Sequence, residues 1–532
     1  MRKKIQGTAV LLAALLALAA CGQGAYTDDS SDPGEPQRGG EITVLENATF
    51  AGSWPSGLDP ATNATGGANI SLMQSIYGGL FRLVADEDGS NSKVVPHQAE
   101  SYELTDDGKT LKIKIRDGIT FTDGTPFDAE AVAWNFKRNM EANCTCKPTW
   151  PLAEDGVSVE GGDTVVVRFT RPDAAAVHAM PVSNVNWIAS PDAVEKMGED
   201  AFRLKPVGAG PFTVVTNRLS SELVLERNPD YFKQGLPYLD KLTFKSIGGD
   251  QAAYQAIQAG QAEAYEGMDM SPLVEQALND DRVTATPQPS TSPYVVQLNT
   301  MKPPFDDKKA REAIYYATDW DAILKGLFKG QGSVSQMFTA PGGIFHEPTV
   351  PGYRGYDLEK AKQLVQEIGG LDVHFGVTDI DIAVKTQIAL QTQWKKAGIN
   401  VEIGHYQLNR VIDHFVKGDW NIWLSTSGSW DPAAGAGVGF RFYSTNRYTG
   451  VKDPELDELL DEAESVPDMN KRIELYKQAG KLISDEAYAP FGIAYPRISL
   501  AAKGVHGPGL TTKIPPLVVN TGILWDEVWT SK

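Results

Sequence analysis

A chain of 532 residues is long for one hydrophobic core, and ordinary domain size predicts about three lobes. Forty-nine basic residues against 68 acidic ones give a formal charge of −19; without residues 1–20, which hold three basic and no acidic side chains, the balance is 46 against 68, or −22. So acidic a chain, with no basic cluster long enough to reverse the sign, argues against nucleic acid or an anionic membrane surface as partner.

Arg2, Lys3 and Lys4 precede a short apolar run, Ala9 to Ala20, too short to span a bilayer. It ends Leu18-Ala19-Ala20-Cys21-Gly22, which resembles a lipobox. Residues 1–20 are therefore expected to be a lipoprotein signal peptide, with Cys21 carrying the lipid; the alternative is an ordinary secretory signal. Gly22 to Gly40 lacks periodicity and is rich in Gly, Asp, Ser and Pro. It reads as a tether, assigned to 21–37, that would span ~25 Å as a flexible coil. With Cys21 modified, Cys144 and Cys146 remain. A disulfide, two free thiols and half a metal site compete for them. C-x-C without nearby histidine is poor zinc spacing, and an oxidising compartment favours the disulfide.

Glu41 to Leu45 is a first strand, and residues 50–60 form a Gly/Pro/Ser loop carrying Phe50, Ser53 and Trp54. Ile70 to Leu80 reads as a helix closing at Gly78-Gly79. The stretch from His97 to Asn139 is the most explicit. Leu111, Ile113 and Ile115 alternate with Lys112, Lys114 and Arg116, the pattern of a half-buried antiparallel strand. Asp106 to Lys109 supplies the turn before it. Asp128 is placed to cap a helix whose Val132, Phe136 and Met140 share one face, with Phe127 and Val132 at the spacing of a hydrophobic staple. Thr164 to Phe169, Leu223 to Arg227 and Lys241 to Lys245 are further strands. The second half alternates amphipathic helices (308–318, 358–368, 383–397, 454–464, 470–484) with short strands at 372–375 and 400–403, as in an α/β lobe.

The 97–139 block resembles the signature region of the family 5 solute-binding proteins of ABC importers, the peptide- and nickel-binding class. Leu58-Asp59-Pro60, Tyr77-Gly78-Gly79-Leu80, Gly208-Ala209-Gly210-Pro211-Phe212, Glu226-Arg227-Asn228-Pro229-Asp230-Tyr231-Phe232, and Leu298-Asn299 with Pro303-Pro304-Phe305 extend the resemblance in order over the mature chain. It implies an α/β, periplasmic-binding-protein-like type II fold (cluster C). Two large lobes are joined by a hinge. Lobe I is built from 38–76, 191–288 and 489–532, an inserted subdomain from 77–190, and lobe III from 289–488.

Enzymatic signatures are absent. His346-Glu347 is followed by Pro348, which breaks the helix that a zinc-binding H-E-x-x-H needs. No G-x-S-x-G elbow occurs, and Gly435 to Phe440 lacks the third glycine of a dinucleotide loop. No metal and no cofactor is expected. Aromatic side chains set in loops stand out instead. Trp423, Ser427, Gly428, Ser429, Trp430 and Asp431 lie where a strand runs into a small-residue loop, which the resemblance places at the ligand cleft. The Trp54 loop is implied to face it from lobe I.

Dipeptide-binding members of the family carry an acidic residue in the later loop, for the peptide's amino group. Here that position falls near Gly428, which leaves Asp431 and Asp379 as the nearest acids. Those members also hold the carboxylate with an arginine in the turn after the strand around His374, a turn that here reads Gly376-Val377-Thr378-Asp379. An unpaired buried terminus costs several kcal/mol, so a simple dipeptide is disfavoured. The reading is a monomeric, lipid-anchored binding protein on the outer face of the cytoplasmic membrane or in the periplasm. It captures an oligopeptide, or alternatively an oligosaccharide, and delivers it to permease subunits by hinge closure. A lipid-anchored hydrolase and a ligand sensor are the rivals from other classes.

Overall fold

Alternation decides the inserted lobe. Leu111, Ile113 and Ile115 of Thr110–Ile115 are buried, while Lys112 and Lys114 turn outward to Glu160 (2.8 Å) and Glu100 (2.9 Å). This strand lies between Ala99–Thr105 and Thr164–Phe169 in an antiparallel sheet closed by Leu152–Glu160. The turn at Asp106–Gly108 takes positive φ at all three residues, and Thr110 returns a hydroxyl hydrogen bond to Asp106 at 2.7 Å. Asp128 caps the helix Ala129–Glu141 by accepting from Ala131 N at 2.9 Å. Its buried face, with Val132 and Phe136, packs on the sheet through Trp150, whose ring meets Phe136 edge-on at 4.9 Å. Each such apolar side chain contributes about 1.5–3 kcal/mol relative to exposure.

The computed structural model describes residues 34–48, 54–63, 69–85, 92–142, 144, 146, 150–269, 272–290, 292–406, 420–427, 430–433, 437–445, 449–514 and 522–531. Met1–Glu35 is a unit of its own, and every element discussed belongs to the second unit, Pro36–Lys532. Cys21, Phe50, Ser53, Gly428 and Ser429 lie outside the described residues. Cys144 and Cys146 are joined in a disulfide.

Lobe I holds a seven-stranded sheet ordered Val283–Gln288, Arg497–Ala502, Ala264–Met268, Glu41–Asn47, Lys241–Ile247, Glu222–Arg227, Phe212–Arg218. Glu41–Asn47 is parallel to both neighbours and buries apolar side chains on both faces, Ile42 and Val44 on one and Leu45 on the other, as a covered central strand does. Lobe III holds four strands ordered Tyr294–Leu298, Ile422–Thr426, Leu371–Thr378, Ile399–Tyr406. Leu371–Thr378 and Ile399–Tyr406 are parallel and joined through the helix Asp381–Lys396, a βαβ unit. The chain crosses between the two sheets after Gln288 and again before Arg497. On the return Ile493–Ala494 still pairs with Ser333–Val334, so the C-terminal segment rejoins lobe I at Arg497. Among the described residues, no helix is long and apolar enough to cross a membrane.

The motifs that carry the resemblance prove to be structural. Asp59 of Leu58-Asp59-Pro60 makes a two-point ion pair with Arg138 of the Ala129–Glu141 helix, at 2.8 and 2.6 Å. A Cβ on Gly208 or Gly210 would lie 2.4 or 2.6 Å from the carbonyl oxygen of Ile76, so the chain there passes the end of the helix Ile70–Tyr77 only as glycine. Asn228 ties the next motif to this one, donating to the Gly210 carbonyl at 2.9 Å.

Candidate functional site

The junction between the lobes brings together side chains far apart in sequence. Its floor is the hinge. Arg497, first residue of the returning strand, pairs with Asp269 at 2.9 Å and donates to the Gly267 carbonyl at 3.2 Å. Asp250 accepts from the Tyr265 hydroxyl (2.5 Å) and the Asp269 amide (3.0 Å). Burial pushes the Asp269 carboxyl above its ordinary range against the pull of Arg497. Beside the hinge, at the C-terminal ends of Glu41–Asn47 and Ala264–Met268, Glu46 and Glu266 stand opposite one another in register. This end of parallel strands is where open α/β sheets present ligands.

One wall is built from lobe III. Asp431 is fully enclosed and held by Arg472 at 2.9 and 3.0 Å; Arg472 also donates to the Ala463 carbonyl at 2.8 Å. His178 of the inserted lobe reaches over, with Nδ1 3.2 Å from Asp431 Oδ2 and 3.2 Å from Arg472 Nη1. Burial pushes the Asp431 carboxyl up, but Arg472 and His178 outweigh it and hold the group well below the usual carboxylate range. Trp430 meets the His178 ring edge-on at 5.2 Å and joins the apolar cluster that contains Trp54 and Trp525 of lobe I and Trp187 of the inserted lobe.

The inserted lobe touches lobe III a second time. Arg171 pairs with Glu464 at 2.9 Å, and the Ala174 amide donates to the Glu464 carbonyl at 2.7 Å. Asp173, between them, is buried, and its carboxyl is pushed up to about 7 by that burial, with the charge of Glu464 adding to the effect.

The expected ligand residues are thus placed as follows. Trp54 and Trp430 do come from different lobes, yet they meet in one closed cluster, both buried, and the Trp54 indole N–H is donated to Asn217 at 2.9 Å. Trp423 is a lobe III packing residue: it is buried, lies against Tyr406 at 5.4 Å, and its ring occupies the space a Cβ on Gly376 would need. Ser427 is buried, with its hydroxyl donated to the Phe338 carbonyl at 3.3 Å. Asp379 is exposed at the end of Leu371–Thr378. Asp431, expected to meet a cationic ligand group, is already neutralised by Arg472 in this form. His178, Arg472, Glu46 and Glu266 were not legible as site residues. Asp431 and Arg472 are 41 residues apart and His178 a further 253 from Asp431, with no local spacing to link them. Among the described residues no cluster able to hold a metal ion occurs.

Residues 93–449 match the family model of bacterial extracellular solute-binding proteins, family 5. The chain is 26% identical over 517 residues to the heme-binding protein A of Haemophilus influenzae, covering 91% of this chain and 93% of that protein. It is 25% identical to di/tripeptide-binding protein 1 of Pseudomonas aeruginosa, over 81% of this chain and 86% of the relative. Among solved structures, the periplasmic binding protein DppA of Helicobacter pylori with the peptide STSA matches at TM-score 0.76 and 20% identity, over 93% of this chain and 99% of the other. The oligopeptide-binding protein AppA of Bacillus subtilis with a nonapeptide matches at 0.74 and 20%, over 94% and 100%.

Proposed function

Because this chain belongs to the bacterial extracellular solute-binding proteins of family 5, the substrate-binding proteins of ABC importers, we propose that it is a lipid-anchored receptor that captures oligopeptides and hands them to its permease. It binds rather than transforms its solute. The peptide reading rests on relatives named for di- and tripeptides and for glutathione, and on folds solved around STSA and a nonapeptide. The observation that carries closure as the working motion is the pair of Trp430 and His178. A lobe III loop is seated in the lobe I cluster and against the inserted lobe, a contact that exists only while the lobes are together.

Native mass spectrometry of the freshly purified protein tests the peptide reading. Adducts that fragment into amino-acid residues are expected, and an adduct that fragments as a sugar would sink it. Trp430→Ala should weaken ligand affinity by ~1–3 kcal/mol, the range of an interface aromatic, with folding retained. Unchanged affinity in a titration followed by tryptophan fluorescence would remove Trp430 from the mechanism.

Anchoring is read from Cys21 at the end of the apolar leader. Two or more acyl chains, at ~0.8 kcal/mol per buried CH₂, hold a protein on a membrane where one does not. Cys21→Ala should move the protein from the membrane fraction to the medium or leave it unprocessed. A mature amino terminus found elsewhere than residue 21 contradicts the assignment.

A further inference from the structure

Buried carboxyl groups are ordinarily paired or hydrogen-bonded, and an exception needs a reason. Glu46 is such an exception: the residue is fully enclosed, and neither carboxyl oxygen has a hydrogen-bond partner among the described residues. Its neighbour in register, Glu266, lies one strand spacing away, about 4.8 Å. Glu266 is anchored through its Oε1, which accepts from the Ser71 hydroxyl at 2.8 Å, the Gly522 amide at 2.8 Å and the Ile523 amide at 3.4 Å. A third acceptor faces the same region. Gln74 is one helical turn on from Ser71, is 4% exposed, and has its Oε1 without a partner among the described residues. Gln74 and Gly522 both line a cavity of about 650 Å³. Burial, with the charge of Glu266 adding to it, pushes the Glu46 carboxyl well above its ordinary range, and no cation acts on it among the described residues.

We propose that Glu46 and Glu266, with the Gln74 amide oxygen, form the subsite that receives a cationic group of the ligand, a primary ammonium or a guanidinium, at the C-terminal edge of the lobe I sheet. This deepens the oligopeptide reading and rests on it. The chemistry matches: an ammonium offers three donors and a guanidinium five, against two open oxygens on Glu46 and one on Gln74. The placement matches as well. Glu266 precedes Gly267, whose carbonyl is bonded to the hinge residue Arg497, so a cation bound there sits beside the pivot. It also resolves the missing counter-charge, since Asp431 is engaged by Arg472 and is not open to a ligand cation. Elsewhere the lining of that cavity carries Arg82, Arg116, Lys233 and Lys513 with Glu527 as its one acid, so it offers a cation no comparable site. An unpartnered buried carboxyl adds nothing to the fold, so on the subsite reading its replacement by an apolar isostere is neutral or stabilising, whereas a structural role for Glu46 forecasts a loss of stability.

The test uses the full chain and two variants, Glu46→Gln and Glu46→Leu, in equilibrium dialysis against an equimolar set of tetrapeptides. Each carries lysine, arginine or norleucine, with a free or an acetylated amino terminus. The parent is expected to prefer cationic peptides over acetylated norleucine peptides at least tenfold. The lysine and arginine arms, set against the free-terminus arm, tell a side-chain cation from the terminal amine. Glu46→Gln should abolish that preference while still binding the neutral peptides, and both variants should melt at or above the parent temperature. Peptide binding without cation preference, or a preference that survives Glu46→Gln, overturns the subsite alone. Melting of both variants well below the parent overturns it too, by making Glu46 structural. Failure of the parent to bind any of the peptides overturns the oligopeptide reading, and the subsite with it.

Discussion

Arg472→Ala is expected to cost the folded protein about 3–5 kcal/mol, seen as a lowered urea midpoint at unchanged slope. The reason is what it leaves behind. Asp431 is fully enclosed, and Arg472 makes two ionic contacts with it, against the single contact of His178 at 3.2 Å. Removing the guanidinium strands a buried carboxylate and also strips a donor from the Ala463 carbonyl. The pH dependence should change sign with it. In the parent the Asp431 carboxyl is held below its ordinary range, so its contribution is present above about pH 4 and fades as pH falls through the lowered value. In Arg472→Ala the stranded carboxyl titrates upward instead, and the variant should gain relative stability on acidification. An Asp431→Ala, Arg472→Ala double variant should recover part of the loss. A single variant within 0.5 kcal/mol of the parent at pH 7 would show that the pair carries no such energy.

The second large effect is at the other buried pair. Arg138→Ala should cost about 3–5 kcal/mol, and Asp59→Ala should cost less. The asymmetry follows from the surroundings. Asp59 is fully enclosed and its other bonding is local, to the Ala61 amide at 3.1 Å and the turn it opens. Arg138 has somewhere to go: Glu199 lies 3.5 Å from its Nη2, and its guanidinium sits 5.5 Å over the Trp134 ring. Chemical denaturation of both variants measures the difference, and equal losses would contradict the account.

These two pairs also show where reading the chain succeeds. Alternation at 110–115 and the cap at Asp128 are local physics, and both are found as read. The Leu58-Asp59-Pro60 motif was legible as a motif, but its partner is 79 residues on, set by a helix whose packing no local pattern encodes. The loops at Trp54 and Trp430 were legible as aromatic loops. That Trp54 spends its N–H on Asn217, 163 residues away, and that Asp431 is claimed by Arg472, are consequences of tertiary packing alone. Glu46 was hidden for a related reason: at the end of an apolar strand in a chain with 68 acidic residues, one more glutamate carries no signal until its burial is known.

Asp173 gives closing a chemical stoichiometry. Its carboxyl is pushed up to about 7 by burial, with the charge of Glu464 across the junction adding to the effect, and an open form that exposed it would return it toward the ordinary value of about 3.9. Between these values the closed form would hold a proton that such an open form releases. Arg171 and Arg472 oppose the shift without cancelling it. If hinge closure is the working motion, ligand binding draws protons from solution over that window, and affinity declines as pH rises through about 7. Titration calorimetry at pH 6 should then return an apparent heat that varies with the ionisation enthalpy of the buffer. Asp173→Asn should make the heat the same in phosphate and in imidazole. The receptor would act as a proton-coupled latch, one whose grip on its cargo is set partly by the acidity of the space it faces.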